Sequence, residues 1–312
     1  MYISEQEVRS VLRYETLIPA IRQALIDFSA GRVNQPARMI LRAGNADDHR
    51  NGWFAVMPAV AGDVMGVKTV TWYPGNDEFG LHTHMAMIEL LSRATGEPLA
   101  IMDGRLITEM RTAAVSAVAF AALAPLHFDA APRSFGILGS GVQARAHIEA
   151  LRHVWPGMTE IRIWSRNPAN ARRLADEANG RAVEVEEASS ADVVLTATSS
   201  QTPVLRGAYL RSNALVFAVG ATGASLRELD DEAMLSGFVV AEARSCVERE
   251  SGDVLLSGAK VQADLGEILA EPSAAKIPRD RPIVSKSVGM AIEDITAARL
   301  VWQSLKKDHS AH

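Results

Sequence analysis

Three cations stand where cations are costly. Arg38 and Lys68 fall in apolar, strand-like stretches, Pro36 to Leu41 and Val64 to Val70. Arg111 opens a run of small residues, Glu109-Met110-Arg111-Thr112-Ala113-Ala114. A charge among apolar neighbours costs free energy unless something pairs with it. Together the three could clamp the carboxylate of a small acid. Singly, each reads equally as a structural ion pair or a solvent-facing strand position, because strands alternate faces and edge charges are common. A lysine removed from water has a lowered pKa, so Lys68 is also the candidate to relay a proton. His82-x-His84 offers two imidazoles, but no third ligand is placed by the sequence, and no metal is expected. His84 reads as a loop residue reaching toward a cofactor. Glu250-Ser251-Gly252-Asp253 reads as a helix–turn element, with Glu250 a further candidate for the substrate side. A Gly-x-Ser-x-Gly elbow and a Cys/His pair are both missing, so nucleophilic catalysis of those kinds is not expected.

A second stretch carries different chemistry. In Ser134-Phe-Gly-Ile-Leu-Gly139-Ser140-Gly141-Val142-Gln143-Ala144 an apolar run meets Gly-x-Gly-x-x-Ala, and a helical pattern follows through Ala146, Ile148 and Leu151. Strand, glycine turn and helix in that order make a dinucleotide site. Gly139 permits the turn, Gly141 lets backbone approach a pyrophosphate, and Ala144 lets helix pack on strand. The free N–H groups of the helix start then face the phosphates. One βαβ unit later, Ile163-Trp164 ends in Ser165-Arg166-Asn167. A carboxylate there would bind the ribose 2′-hydroxyl of NAD. Ser165 and Arg166 suit a 2′-phosphate instead, so NADP(H) is expected in preference to NAD(H), the alternative being that Arg166 is a solvated loop arginine.

The elements that must position these groups divide the chain. Ser4-x-x-Glu7 reads as a capping box, and Leu17, Ile18, Ile21, Leu25 and Phe28 recur at helical spacing up to Gly31. Strands are then expected at 36–41, 53–58, 64–70, 85–90 and 99–102, followed by an alanine-rich helix over 106–123. Past Pro125 to Pro132 strands and helices alternate, with strands at 134–138, 161–165, 182–185, 193–198, 215–220, 238–241 and 283–286. That alternation implies a Rossmann-type, doubly wound parallel sheet, with ligands at the strands' carboxyl ends, where Thr198-Ser199 and Val219-Gly220 fall. The fold class is therefore α/β: this sheet over 126–289, plus an α+β domain over 1–125 to which a helix within 290–312 returns. The 312 residues suffice for two domains; 48 % are hydrophobic and 22 % charged. A net charge of −5 without a basic run excludes nucleic acid as an expected partner. Cys246 is the only cysteine, which fits a reducing, cytoplasmic setting. Neither a secretory leader nor a transmembrane run is read.

Ordered motifs then give a resemblance. They are Met57-Pro58, Gly66-Val67-Lys68, Thr95-Gly96-Glu97-Pro98-Leu99-Ala100, Met102-Asp103-Gly104, Arg111-Thr112-Ala113-Ala114, the glycine turn, Arg227-Glu228-Leu229-Asp230, Glu250 through Gly258, and Lys286-Ser287-Val288-Gly289-Met290-Ala291-Ile292-Glu293-Asp294. Over nearly its whole length the chain resembles the ornithine cyclodeaminase/mu-crystallin family. The resemblance implies a homodimer built on the N-terminal domain, which carries half of the substrate site. It implies that Arg38, Lys68 and Arg111 bind a substrate carboxylate. It implies coenzyme contacts at Thr83, His84, Arg111, Thr112, Val142, Gln143, Thr198 and Val219, and Ser199 and Ser287 join these candidates. One departure matters. Ornithine cyclodeaminases carry Gly-Gly-Asp where this chain has Gly220-Ala221-Thr222. Threonine cannot replace a carboxylate as acid/base. The expected activity is therefore NAD(P)H-dependent reduction of a small cyclic imino acid, or the reverse amino-acid dehydrogenation. Ornithine cyclodeamination and non-catalytic, NADPH-dependent ligand binding are the alternatives.

Overall fold

The structure is a computed structural model that describes residues 1–43 and 52–310; the last two residues of the expected 290–312 tail lie outside it. Two compact units emerge, Met1–Arg111 with Met290–His312, and Thr112–Gly289.

The first unit opens with β1 (Tyr2–Ile3), α1 (Glu5–Val11) and α2 (Tyr14–Ser29). Ser4 and Glu7 form the expected capping box at the start of α1. Strands β2 (Met39–Ala43), β3 (Gly52–Ala61), β4 (Val64–Trp72), β5 (His84–Ser92) and β6 (Pro98–Asp103) follow. They form one sheet in the order β1-β6-β5-β4-β3-β2. Strands β2 to β6 are an antiparallel meander, and β1 joins β6 in parallel. On β4, Val64, Gly66, Lys68 and Val70 are buried, while the residues between them are half-exposed. The closing helix (Ala291–Ser310) packs against this buried face, with α2 beside it. Gly66 makes the close approach possible: a Cβ there would sit 2.2 Å from the Glu89 carbonyl oxygen and 2.9 Å from Ile295 Cδ1. The opposite face keeps Tyr2, Met39, Leu41, Met85, Met87 and Ile101 exposed.

Helix α3 (Arg105–His127) runs past the expected end at 123, and Pro125 sits inside it. A proline removes only one donor and is absorbed in the final turns, so it does not mark the crossing by itself. By length and composition α3 qualifies to cross a membrane, which the sequence reading missed; 72 % of that stretch is buried within the protein.

The second unit contains β7 (Ser134–Leu138), α4 (Val142–Val154), β8 (Glu160–Trp164), α5 (Pro168–Ala178), β9 (Arg181–Ala182), α6 (Val185–Ser189), β10 (Val193–Thr196) and β11 (Leu215–Ala218). Then come α7 (Asp231–Ser236), β12 (Phe238–Ala241), α8 (Arg244–Glu250), α9 (Gly252–Ser257), β13 (Val261–Asp264), α10 (Leu265–Ala270) and β14 (Ile283–Lys286). The strand order is β13-β12-β14-β11-β10-β7-β8-β9, and every pairing is parallel. From β7 the chain winds outward through β8 and β9, then returns to the other side at β10. The switch point therefore lies between β7 and β10, where α/β sheets place ligands.

Several boundaries differ from expectation. Strand β2 begins at Met39, because Pro36 lacks a ladder donor, so Arg38 precedes the strand instead of lying on it. Strand β9 ends at Ala182, and Val185 starts α6, whose first turn carries Glu186 and Glu187. Acidic residues there favour a helix start. Strands β10 and β11 stop at Thr196 and Ala218, leaving Thr198 and Val219-Gly220 in the loops just beyond.

Candidate active site

Lys68 points from β4 into the buried side of the first unit and is 1 % exposed. Its Nζ lies 2.7 Å from Asp294 Oδ2 and donates to Thr108 Oγ1 at 3.5 Å. Arg111 stands one helical turn beyond Thr108, on the same face of α3. Its Nε donates to Asp294 Oδ1 at 3.0 Å, and its NH1 donates to Glu293 Oε2 at 2.8 Å. Glu293 and Asp294 are fully buried in the first turn of the closing helix. The Met290 N–H donates to Glu293, and the Ile292 N–H donates to Gln35 Oε1 at 2.8 Å. The segment leading to Arg38 is thereby tied to the start of that helix. Buried ion pairs offset their desolvation only when geometry is good and further hydrogen bonds complete them. Here Asp294 Oδ1 and Glu293 Oε2 have such bonds, while Asp294 Oδ2 faces the Lys68 charge at 2.7 Å without a hydrogen bond among the described residues.

Sequence reasoning found the cations and missed the carboxylates that hold them. The available signal was Glu293-Asp294 inside an otherwise apolar helix start. Two buried cations require anions, and adjacent carboxylates on apolar flanks are the place to look.

The electrostatics follow from this packing. Burial lowers the Lys68 pKa to about 8; Asp294 opposes that shift, while Arg111 and Arg38 add to it. Burial pushes the Asp294 carboxyl up, but Arg111 and Lys68 together hold it below its ordinary value. His84, at the start of β5, is lowered to about 4 by burial and by Lys68 and Arg111. It is a neutral imidazole near pH 7. Arg38 is half-buried and close enough for its charge to act on Lys68. Thr83 is exposed immediately before β5, and Thr112 follows Arg111 on α3.

In the second unit the glycine turn has the form a pyrophosphate requires. Gly139 has φ +129°, and a Cβ there would lie 2.4 Å from the Ala197 carbonyl oxygen. Gly141 caps α4 from extended backbone, and nothing lies within 4 Å of where its Cβ would be. The first glycine is forced by the fold; the second keeps a surface open. Ala144, in the first turn of α4, is fully buried, as expected for close helix–strand packing. Val142, the first residue of α4, is 49 % exposed. Gln143 follows, and its buried Oε1 has no hydrogen-bond partner among the described residues. These features fit a dinucleotide.

Around this turn, Ser140 Oγ donates to Ser165 Oγ at 2.9 Å, and the Gly139 N–H donates to the Trp164 carbonyl at 2.9 Å. Arg166 is exposed at the end of β8. Asn167 caps α5 by accepting from the Ala169 N–H at 3.0 Å. The Val219 N–H donates to the Thr196 carbonyl and the Ser287 N–H to that of Ala218, which sets both at carboxyl ends of the sheet. Ser199 is exposed beside Thr198, and Thr222 is half-buried. Glu250 ends α8 and pairs with Arg249 at 2.8 Å. It belongs to the second unit, whereas Lys68, Arg111, Arg38 and His84 share the first.

Known proteins resemble this chain in sequence and in fold. The ornithine cyclodeaminase/mu-crystallin family profile matches residues 1–309. The ketimine reductase mu-crystallin of Mus musculus is 39 % identical over 97 % of this chain and 96 % of its own. The Thermococcus litoralis Δ1-pyrroline-2-carboxylate reductase, solved with NADH and L-proline, superposes with a TM-score of 0.91 at 30 % identity, covering 99 % of this chain and 98 % of that one. An archaeal alanine dehydrogenase dimer with bound NAD gives 0.89 at 28 % identity, over 99 % and 97 %. A match that runs the length of the chain, including both the cation cluster and the glycine turn, leaves one assignment: this chain belongs to the ornithine cyclodeaminase/mu-crystallin family.

Proposed function

We propose that this protein is an NAD(P)H-dependent reductase of small cyclic imino acids, of the five-membered 1-pyrroline-2-carboxylate or six-membered 1-piperideine-2-carboxylate kind. The observation that carries the reading is the buried Lys68–Asp294–Arg111 cluster: cations held ready for a carboxylate, one of them with a pKa near 8. When bound, the reduced nicotinamide supplies the hydride. Arg38, Lys68 and Arg111 hold the substrate carboxylate and fix the imine carbon's approach, which raises the effective molarity of the encounter. Lys68 is the group able to pass a proton to the imine nitrogen near neutral pH. His84, being neutral, adds no competing positive charge. Thr222 leaves no carboxylate where cyclodeaminases have one, which argues for reduction over ornithine cyclisation. Initial rates of NADPH and NADH oxidation with the two imines test this. Turnover with either imine supports the reading; no oxidation between about pH 6 and 9, a window bracketing the Lys68 titration, contradicts it.

The coenzyme preference rests on Arg166. Exposed beside the Ser140–Ser165 pair, in the segment Ser165-Arg166-Asn167 where a carboxylate would serve NAD, it suits a ribose 2′-phosphate. Arg166→Ala is expected to weaken NADPH binding by about tenfold to a hundredfold, the worth of one charge-assisted pairing. NADH binding should stay within about twofold. Titration of both coenzymes by fluorescence checks this, and equal losses would refute it.

The open sheet face supports a homodimer. Register places Met39, Val56, Thr69, Met87 in one row across the strands and Leu41, Phe54, Thr71, Met85 in the next. An exposed apolar sheet face of this extent marks an association surface. Met87→Asp, a charge in the middle of that face, is expected to convert the dimer to a monomer. Light scattering on the eluting peak reads the mass directly; an unchanged dimer would place the interface elsewhere.

A further inference from the structure

The second unit holds a buried carboxylate that the proposed reaction does not use. Glu228 is fully buried. Its Oε1 accepts from the Thr198 N–H at 2.6 Å and the Thr198 hydroxyl at 2.7 Å. Its Oε2 accepts from the Gly220 N–H at 2.7 Å and the Thr196 hydroxyl at 2.9 Å. One side chain thus ties together the loops that leave β10 and β11. Glu228 is itself held from behind. Asp253 Oδ1 accepts the N–H groups of Glu228 and Leu229 at 2.8 and 3.0 Å, and Asp253 Oδ2 pairs with the buried Lys286 Nζ at 3.0 Å.

The loop it fixes on β10 adjoins the glycine turn. The Ala197 N–H donates to the Leu138 carbonyl, and the Ala197 carbonyl is what forbids a side chain at Gly139. Thr198 is the next residue, at the sheet's switch point. Its hydroxyl has given its only proton to Glu228 and accepts from the Ser200 N–H at 3.2 Å. Toward anything bound there, that oxygen can only accept.

We propose that Glu228 is a positioning residue for the coenzyme: by fixing Thr198 and Gly220 it turns the Thr198 hydroxyl into a dedicated acceptor for an N–H or O–H donor of the bound dinucleotide. This rests on the reading of the second unit as coenzyme-binding. Each oxygen of Glu228 faces one backbone N–H, which can only donate, so both oxygens must accept. Glutamine in its place sets an amide N–H against one of those donors in either orientation. A donor facing a donor in a buried site is costly and moves the loop.

The test is coenzyme affinity by calorimetry, at a temperature where circular dichroism shows every variant folded. Glu228→Gln is expected to raise the Kd for the preferred coenzyme about tenfold to a hundredfold. Thr198→Val should raise it about tenfold, Thr198→Ser should restore binding, and Glu228→Gln with Thr198→Val should be no weaker than Glu228→Gln alone. Wild-type affinity in Glu228→Gln, or additive losses in the double variant, would overturn the proposal. If Glu228→Gln does not fold, the Thr198 pair decides: equal affinities for Val and Ser overturn it, and loss with Val restored by Ser supports it. A wild-type protein that binds neither NADH nor NADPH would instead sink the coenzyme reading itself.

Discussion

Lys68→Met is expected to lower kcat/KM for imine reduction by about a thousandfold, the combined loss of a carboxylate contact and a proton donor. Methionine keeps most of the apolar stem and removes the charge. Asp294 then retains Arg111, through Nε at 3.0 Å. Removing one partner of a buried pair typically costs about 3–5 kcal/mol, so the melting temperature should fall as well. The two effects separate by pH. With a pKa near 8, Lys68 carries its proton below that value and loses it above. If it hands a proton to the substrate, kcat in the wild type is full below pH 8 and declines through it. The residual activity of Lys68→Met should lack that limb. A stability consequence has a defined sign. The folded-state pKa of about 8 lies below the ordinary 10.5. The unfolded chain therefore binds more protons across that window, and the contribution of this one group to stability rises with pH from about 8 upward. A wild-type profile flat through pH 8, or a Lys68→Met variant with wild-type kcat/KM, would remove Lys68 from the mechanism.

The second large effect separates the two glycines of the turn. Gly141→Val is expected to leave folding within about 0.5 kcal/mol, because the backbone there is extended and nothing lies within 4 Å of the new Cβ. It should nonetheless weaken NADPH and NADH binding by at least about a hundredfold, since the side chain fills the space the pyrophosphate needs. Gly139→Ala should behave differently. At φ +129°, with the Ala197 carbonyl 2.4 Å away, it strains the fold itself. A loss of about 2 kcal/mol or more of stability, together with coenzyme binding, is the expected result. Thermal melts and calorimetry on both variants check the contrast. Unaltered coenzyme affinity in Gly141→Val would contradict the assignment of the turn.

The glycine turn and its flanking strand were legible because local sequence dictates them: an apolar strand, a residue forced to positive φ, and a small residue in the helix's first turn. Strand Phe238–Ala241 was readable for a similar reason, as a short buried apolar run. Strand β1 was too short to show a pattern, and β13 carries Gln262 and Asp264 at a sheet edge. Val185 looked like the end of a strand because valine favours strands, but the acidic residues after it favour a helix start. The active-site cations could be picked by type, since a buried charge is costly wherever it falls. Their partners left a weaker signal, adjacent carboxylates in an apolar helix start, and which cation each one meets was not readable: Asp294 meets Arg111 across 183 positions of sequence, a pairing that the return of the closing helix creates. The same holds for Glu228, whose four donors come from Thr196, Thr198 and Gly220. Glu250 was grouped with the substrate cations from its motif, and the structure pairs it with Arg249.

The most direct test follows the hydride. Purified protein is given 1-pyrroline-2-carboxylate and NADPH carrying deuterium at the transferable C4 position, and the amino acid formed is analysed by mass spectrometry and NMR. The account predicts proline with one deuterium on the α carbon and one equivalent of NADP formed. Proline formed without deuterium on the α carbon, or no proline and no NADP although the coenzyme binds, would contradict it.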